Sequence, residues 1–124
     1  MLGKFVLWLA AAVFTAYGVV CFFDPAVAAD FAGLAMTNGN AYAEIGAMYG
    51  GLQTGVGVFC IICALTASLQ RAGLLLLAIG IGSLAFARLY GAWDADWMVG
   101  AYTWGALAYE TITAVLAVVA LRRR

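Results

Sequence analysis

Four long apolar runs, separated by short polar links, dominate this chain of 124 residues. Each run has about twenty residues, the length that an α-helix needs to cross a bilayer core. Hydrophobic residues make up 67% of the chain and charged residues 10%, which is far from the balance of a water-soluble domain. The sequence therefore predicts an all-α, polytopic membrane protein that forms one domain, a bundle of four transmembrane helices.

Helix-breaking and turn-forming residues place the boundaries of the spans. Pro25 ends the first run, and a polar turn at residues 37–40 precedes the second. We predict spans at about residues 5–23, 41–67, 72–92 and 98–121. Between the first two spans, Val27, Phe31 and Leu34 recur at helical spacing. Residues 24–40 are therefore expected to form a short interfacial helix on the membrane surface.

The charges at the predicted span ends indicate an orientation. One end carries only basic residues, namely Lys4, Arg71, Arg122, Arg123 and Arg124. The other end carries only acidic residues, namely Asp24, Asp30, Asp94 and Asp96. By the positive-inside rule, both termini are expected in the cytoplasm, with the protein in a bacterial inner membrane.

Composition excludes several classes of function. The chain has no histidine, so bis-His haem, ordinary zinc catalysis and His-based triads are excluded. Cys21, Cys60 and Cys63 lie inside apolar runs and are expected to be packing residues. Six basic residues balance six acidic ones, which argues against nucleic acid as a partner. No metal and no cofactor are expected, and the composition does not favour an enzyme.

The second span is rich in glycine on two faces. At 100° per residue, one face carries Glu44 and the other carries Tyr49 and Gln53. Small residues on both faces predict close neighbours on both, so this span is expected to be the central helix. The predicted packing positions are Gly46, Gly50, Gly51, Gly55 and Gly57.

Three charged residues remain inside the predicted spans: Glu44, Arg88 and Glu110. A charge at the centre of a membrane helix costs at least ~2.5–3.5 kcal/mol, so such residues usually pair, face a cavity or mark a pathway. With a rise of about 1.5 Å per residue, Glu44 and Arg88 lie at the same depth. We therefore expect them to form an ion pair. Glu110 lies deeper, where Arg88 can extend toward it; without a partner, it is expected to be protonated.

The stretch Glu44-Ile-Gly-Ala-Met-Tyr-Gly-Gly-Leu-Gln-Thr-Gly-Val-Gly-Val-Phe, followed by Arg88 and Glu110, resembles a known family. It is a family of small bacterial four-span membrane proteins of unknown function, similar in layout to the DoxX-like group. Gly46 stands where the family pattern is expected to carry arginine. The resemblance covers nearly the whole chain and implies a four-span fold, but no established activity. It also implies importance for Glu44, Tyr49, Gly50, Gly51, Gln53, Arg88 and Glu110.

Two interpretations of the polar residues stay open. In the first, Glu44, Tyr49, Gln53, Arg88 and Glu110 line an outward-facing pocket that binds or transports a small amphipathic molecule, such as a lipid or a quinone. In the alternative, the protein is an accessory or assembly subunit of a larger inner-membrane complex, or a homo-oligomer, and the charges are a structural ion pair. Membrane lipid is an expected partner in both. A proton-transfer enzyme with Glu110 as acid and Glu44 as base is a weaker third hypothesis.

Overall fold

The computed structural model describes residues 1–123, which form four long helices and one short one. The long helices are Leu2–Phe23, Gly39–Leu65, Ala67–Asp94 and Ala101–Arg122, called the first to fourth spans below. Each is long and apolar enough to cross a membrane. This confirms the predicted four-helix membrane bundle. The third span begins earlier than predicted, because the 3-10 turn Ala67–Leu69 leads directly into its α-helix.

The second and third spans each contain one turn of π-helix. These turns are Gly46–Gly51 and Leu77–Ile81. A π turn holds more residues than an α turn, and such turns are frequent near functional sites. The wider turn in the second span coincides with its densest run of glycine.

The short helix, Pro25–Ala32, follows the first span. Asp24 begins it by accepting a hydrogen bond from the backbone N–H of Ala26, at 3.2 Å. Gly33 ends it in the left-handed conformation, with φ at 69°. Ala28 and Ala29 are buried, so this helix packs onto the end of the bundle.

The first span, not the second, is the central helix. It contacts each of the other three spans. Within the most apolar part of each span, 39% of the residues are buried in the first, against 28%, 28% and 22% in the others. The expectation of a central second span is wrong because only one of its faces has neighbours. A Cβ added at Gly51 or Gly55 would meet nothing within 4 Å.

Glycine allows the first and second spans to approach at the level of the backbone. A Cβ at Gly50 would lie 2.5 Å from the Cα of Phe22, and one at Gly18 would lie 2.5 Å from the backbone nitrogen of Thr54. The contact residues of the second span therefore rise in number, from Gly50 to Thr54, while those of the first span fall, from Phe22 to Gly18. The two spans are antiparallel. Gly46 instead faces the ring of Pro25, whose Cγ would lie 3.2 Å from a Cβ added at Gly46.

The second and third spans are separated from each other along most of their length. They contact each other near the link between them, through Ala67–Leu69 and Gln70–Leu76. Beyond that segment, no Cα of residues 77–94 lies within 8 Å of a Cα of residues 39–65. The third span instead packs on the fourth. A gap therefore separates the backbones of the second and third spans in the half of the bundle that carries Asp24 and Asp94.

Two glycines of the second span provide a matched test of this packing. A Cβ at Gly57 would lie 2.6 Å from the backbone nitrogen of Thr15. We predict that Gly57→Ala lowers the free energy of unfolding by about 1–3 kcal/mol, the usual cost of overpacking. Gly55→Ala is predicted to be neutral or to stabilise by up to about 1 kcal/mol, the helix-propensity gain. Reversible unfolding in mixed micelles measures both, and equal effects would contradict the described packing.

Candidate functional site

Arg88 and Glu110 form a two-point ion pair between the third and fourth spans. Nε of Arg88 donates to Oε2 of Glu110 at 2.9 Å, and Nη2 donates to Oε1 at 2.7 Å. The side chain of Glu110 is 6% exposed and that of Arg88 is 20% exposed. Parallel hydrogen bonds between a guanidinium and a carboxylate are strong and fix the relative orientation of both groups. The pair therefore fixes the register of the third span on the fourth.

Glu44 does not take part in this pair, so the expected ion pair between Glu44 and Arg88 is wrong. Its side chain is exposed, and the ion pair of residues 1–123 joins Arg88 to Glu110 instead. The reason is the gap described above, which separates the start of the second span from the third. Glu44 also shares its helix face with Met48 and Gly55, which are exposed. A reaction that uses Glu44 and Glu110 together therefore has no support in this geometry.

A cavity of about 340 Å³ lies beside the ion pair. All four spans contribute to its wall, which is mainly apolar. The lining residues are Val13, Phe14, Tyr17, Gln53, Leu84, Arg88, Tyr102, Gly105, Ala106, Tyr109 and Glu110. An apolar cavity of this size with a few convergent polar groups is typical of a small-molecule site.

Four of the five residues predicted for a polar cluster lie near one another in the structure. Gln53, Arg88 and Glu110 line the cavity. Tyr49 does not line it; it is half-buried and packs with Cys21 beneath the short helix, yet it is close enough to interact electrostatically with Arg88 and Glu110. Glu44 points away from the bundle, as described above. Of the five predicted residues, only Glu44 therefore lies apart from the ion pair and its neighbours.

Aromatic residues that the sequence analysis did not assign to the site complete the cavity. The hydroxyl groups of Tyr17 and Tyr102 lie 3.2 Å apart. The ring of Phe31, from the short helix, stacks on Tyr102 with 6.1 Å between centroids. Phe14 and Tyr109 pack edge to face, with 6.0 Å between their ring centroids. These contacts tie the first span, the short helix and the fourth span together around the cavity.

One signal in the sequence points to part of this aromatic wall. Phe14 and Tyr17 lie three residues apart and so share a face of the first span. Tyr102 has no such signal, because a tyrosine near the end of a span is equally typical of the aromatic belt at a membrane interface.

None of the three cysteines lines the cavity, although Cys21 packs behind Tyr17, and all three are buried and free. Cys60 and Cys63 belong to the main hydrophobic core, whereas Cys21 packs near the short helix. Among residues 1–123, no three cysteine, aspartate or glutamate side chains come together in a way that could hold a metal ion.

Four apolar spans around a largely apolar cavity with one ion pair in its wall define a small α-helical membrane bundle. Comparison with known families matches residues 2–121 to DUF4345, a domain of unknown function, and the chain belongs to this family. The matched range covers nearly all of the four spans. Comparisons with the curated proteins and with the solved structures gave no match.

The energetic role of the ion pair is open to a double-mutant cycle. We predict that Arg88→Leu and Glu110→Leu each lower the free energy of unfolding by roughly 3 kcal/mol, because each leaves an unpaired charge in a largely buried site. The double variant is predicted to recover most of that loss, since apolar replacements of a buried pair are often neutral. Reversible unfolding in mixed micelles measures the cycle. Additive losses in the double variant would show that the two residues are not coupled.

Proposed function

We propose that this protein binds or transports a small amphipathic molecule in the cavity beside Arg88 and Glu110. The observation that carries the proposal is the shape and chemistry of that cavity. Its wall is mainly apolar, and its charged groups are confined to one ion pair. The apolar chain of a ligand is stabilised by contact with such a wall, whereas its polar head can form hydrogen bonds with Arg88, Gln53 and the tyrosine hydroxyls. A lipid or a quinone has this combination of parts.

The orientation that we propose places the cavity in the outer half of a bacterial inner membrane. Exposed carboxylates lie at the cavity end of the bundle, at Asp24, Asp30, Glu44, Asp94 and Asp96. Exposed basic residues lie at the opposite end, at Lys4, Arg71, Arg122 and Arg123. The positive-inside rule then places both termini in the cytoplasm. The four-span layout supports a relation to the DoxX-like group, although no activity is carried over from it.

A second candidate is an accessory subunit of a larger membrane complex, or a homo-oligomer. The observation that favours it is the uncovered face of the second span, where Glu44 is exposed and a Cβ added at Gly51 or Gly55 would meet nothing within 4 Å. Small residues on an open face allow another membrane helix to approach closely. This candidate predicts a protein partner, whereas the first predicts a retained small molecule.

Two exposed glycines provide a test of the first candidate. Gly105 lines the cavity and Gly91 does not, and a Cβ at either position meets nothing within 4 Å. We predict that Gly105→Leu fills part of the cavity and abolishes retention of a co-purified small molecule. Gly91→Leu is the matched control and is predicted to retain it. Native mass spectrometry after mild extraction measures retention and protein mass in the same spectrum.

The outcomes of this experiment separate the two candidates. A small molecule that is present in the natural protein and in Gly91→Leu, but absent from Gly105→Leu, supports the cavity as its site. Equal retention in both variants contradicts the proposed function. Assemblies of several protein chains without a small molecule favour the accessory subunit or the homo-oligomer.

A further inference from the structure

We propose, on the basis of the proposed function, that the cavity selects an uncharged head that carries a carbonyl oxygen, such as an ester or a ketone. The apolar tail of this molecule lies in the gap between the second and third spans, and the molecule enters sideways from the bilayer. Three features of the structure carry this proposal: the neutrality of the ion pair, the unused donors of Arg88, and the position of the gap.

The first feature is charge. Arg88 already has a carboxylate partner in Glu110, at 2.7 and 2.9 Å, so the pair as a whole is neutral. A second carboxylate beside Arg88 would be attracted by the guanidinium and repelled by Glu110. It would still lose its hydration on entering a largely apolar cavity, which is costly for an ion. The ion pair therefore disfavours an anionic head, even though an arginine lines the site.

The second feature is the supply of hydrogen-bond donors. A guanidinium has five N–H groups, and Glu110 uses two of those on Arg88, which leaves three. The hydroxyls of Tyr17 and Tyr102 in the same wall share a hydrogen bond at 3.2 Å, so one of them donates to the other and the second keeps its proton for a bound molecule. A site rich in donors and neutral in charge matches an acceptor without charge. A carbonyl oxygen with its two lone pairs is such an acceptor.

The third feature is the gap beside the cavity. Gln53 and Leu84 line the cavity from the second and third spans, whose Cα atoms do not approach within 8 Å of each other at this level. Leu84 is 40% exposed, so the wall of the cavity continues onto the surface that faces lipid. At the end toward the short helix, Tyr17 and Tyr102 share a hydrogen bond and the ring of Phe31 stacks on Tyr102. An apolar tail therefore has a continuous path from the bilayer to the cavity.

The test of head selection uses two probes that differ in charge. Delipidated protein in maltoside micelles is mixed with equal amounts of methyl dodecanoate and dodecanoate at about pH 9, where a carboxylic acid is ionised. Native mass spectrometry reads which probe the protein retains. We expect the natural protein to prefer the ester by at least about tenfold, because the carboxylate faces Glu110. This comparison needs no variant.

Glu110→Gln is expected to reverse the selection. The amide keeps the shape of the carboxylate and accepts a hydrogen bond from Arg88, but it leaves the guanidinium charge without a partner. Dodecanoate can then replace the lost carboxylate, so its retention is expected to rise by at least about tenfold relative to the ester.

A pair of leucines on the third span tests the position of the tail. Leu84 and Leu89 are 40% and 42% exposed, but only Leu84 lines the cavity. Leu84→Trp is expected to lower retention of methyl dodecanoate by roughly tenfold, because it fills the path of the tail. Leu89→Trp is the matched control and is expected to leave retention unchanged.

The results distinguish a failure of this inference from a failure of the proposed function. Retention of neither probe, with no other small molecule bound, overturns the proposed function and the inference with it. A natural protein that prefers dodecanoate, or a Glu110→Gln variant that still prefers the ester, overturns the head selection but leaves a binding cavity. Equal effects of the two tryptophan variants overturn the lateral position of the tail.

Discussion

The ion pair between Arg88 and Glu110 is the constraint on which the arrangement of the spans depends. An unpaired charge among apolar helices is costly, so pairing stabilises both residues. Their two hydrogen bonds hold the third span on the fourth. A different contact holds the second span on the first, where Gly18, Gly50 and Gly57 bring the two backbones together. The two pairs of spans are joined by the first span and by the link near Gln70. The gap and the cavity between them follow from this arrangement.

The same interaction explains why the mainly apolar cavity carries polar groups but no net charge. Glu110 lies on a buried stripe of the fourth span with Thr113 and Ala117, so its carboxylate is fixed inside the bundle. Arg88 reaches it from the third span and keeps one-fifth of its side-chain surface exposed. The N–H donors of Arg88 therefore face the cavity, while the charge of Arg88 is balanced by Glu110. A neutral amphiphile is compatible with that combination, and an anion is less so.

Much of the fold follows from patterns that the sequence shows directly. Four apolar runs of sufficient length predict the four spans, and Asp24 with Pro25 predicts the break that starts the short helix. The helical projection of the second span separates the face of Glu44 from the face of Gln53, and the structure shows that only the second of these faces the bundle. The depth of each residue below the end of its span predicts that Glu44 and Arg88 meet, but it contains no information on which spans diverge. That choice is set by packing between distant segments, as are the π turns and the contact of Phe31 with Tyr102.

The central claim is that a membrane molecule occupies the cavity with its head at Arg88 and its tail between the second and third spans. The most direct measurement is a high-resolution cryo-EM structure of the protein in native lipid, extracted without detergent. The account predicts elongated non-protein density that starts within hydrogen-bond distance of Arg88 and runs through the gap past Leu84. A gap closed by the second span, or filled by a helix of another chain, would contradict it.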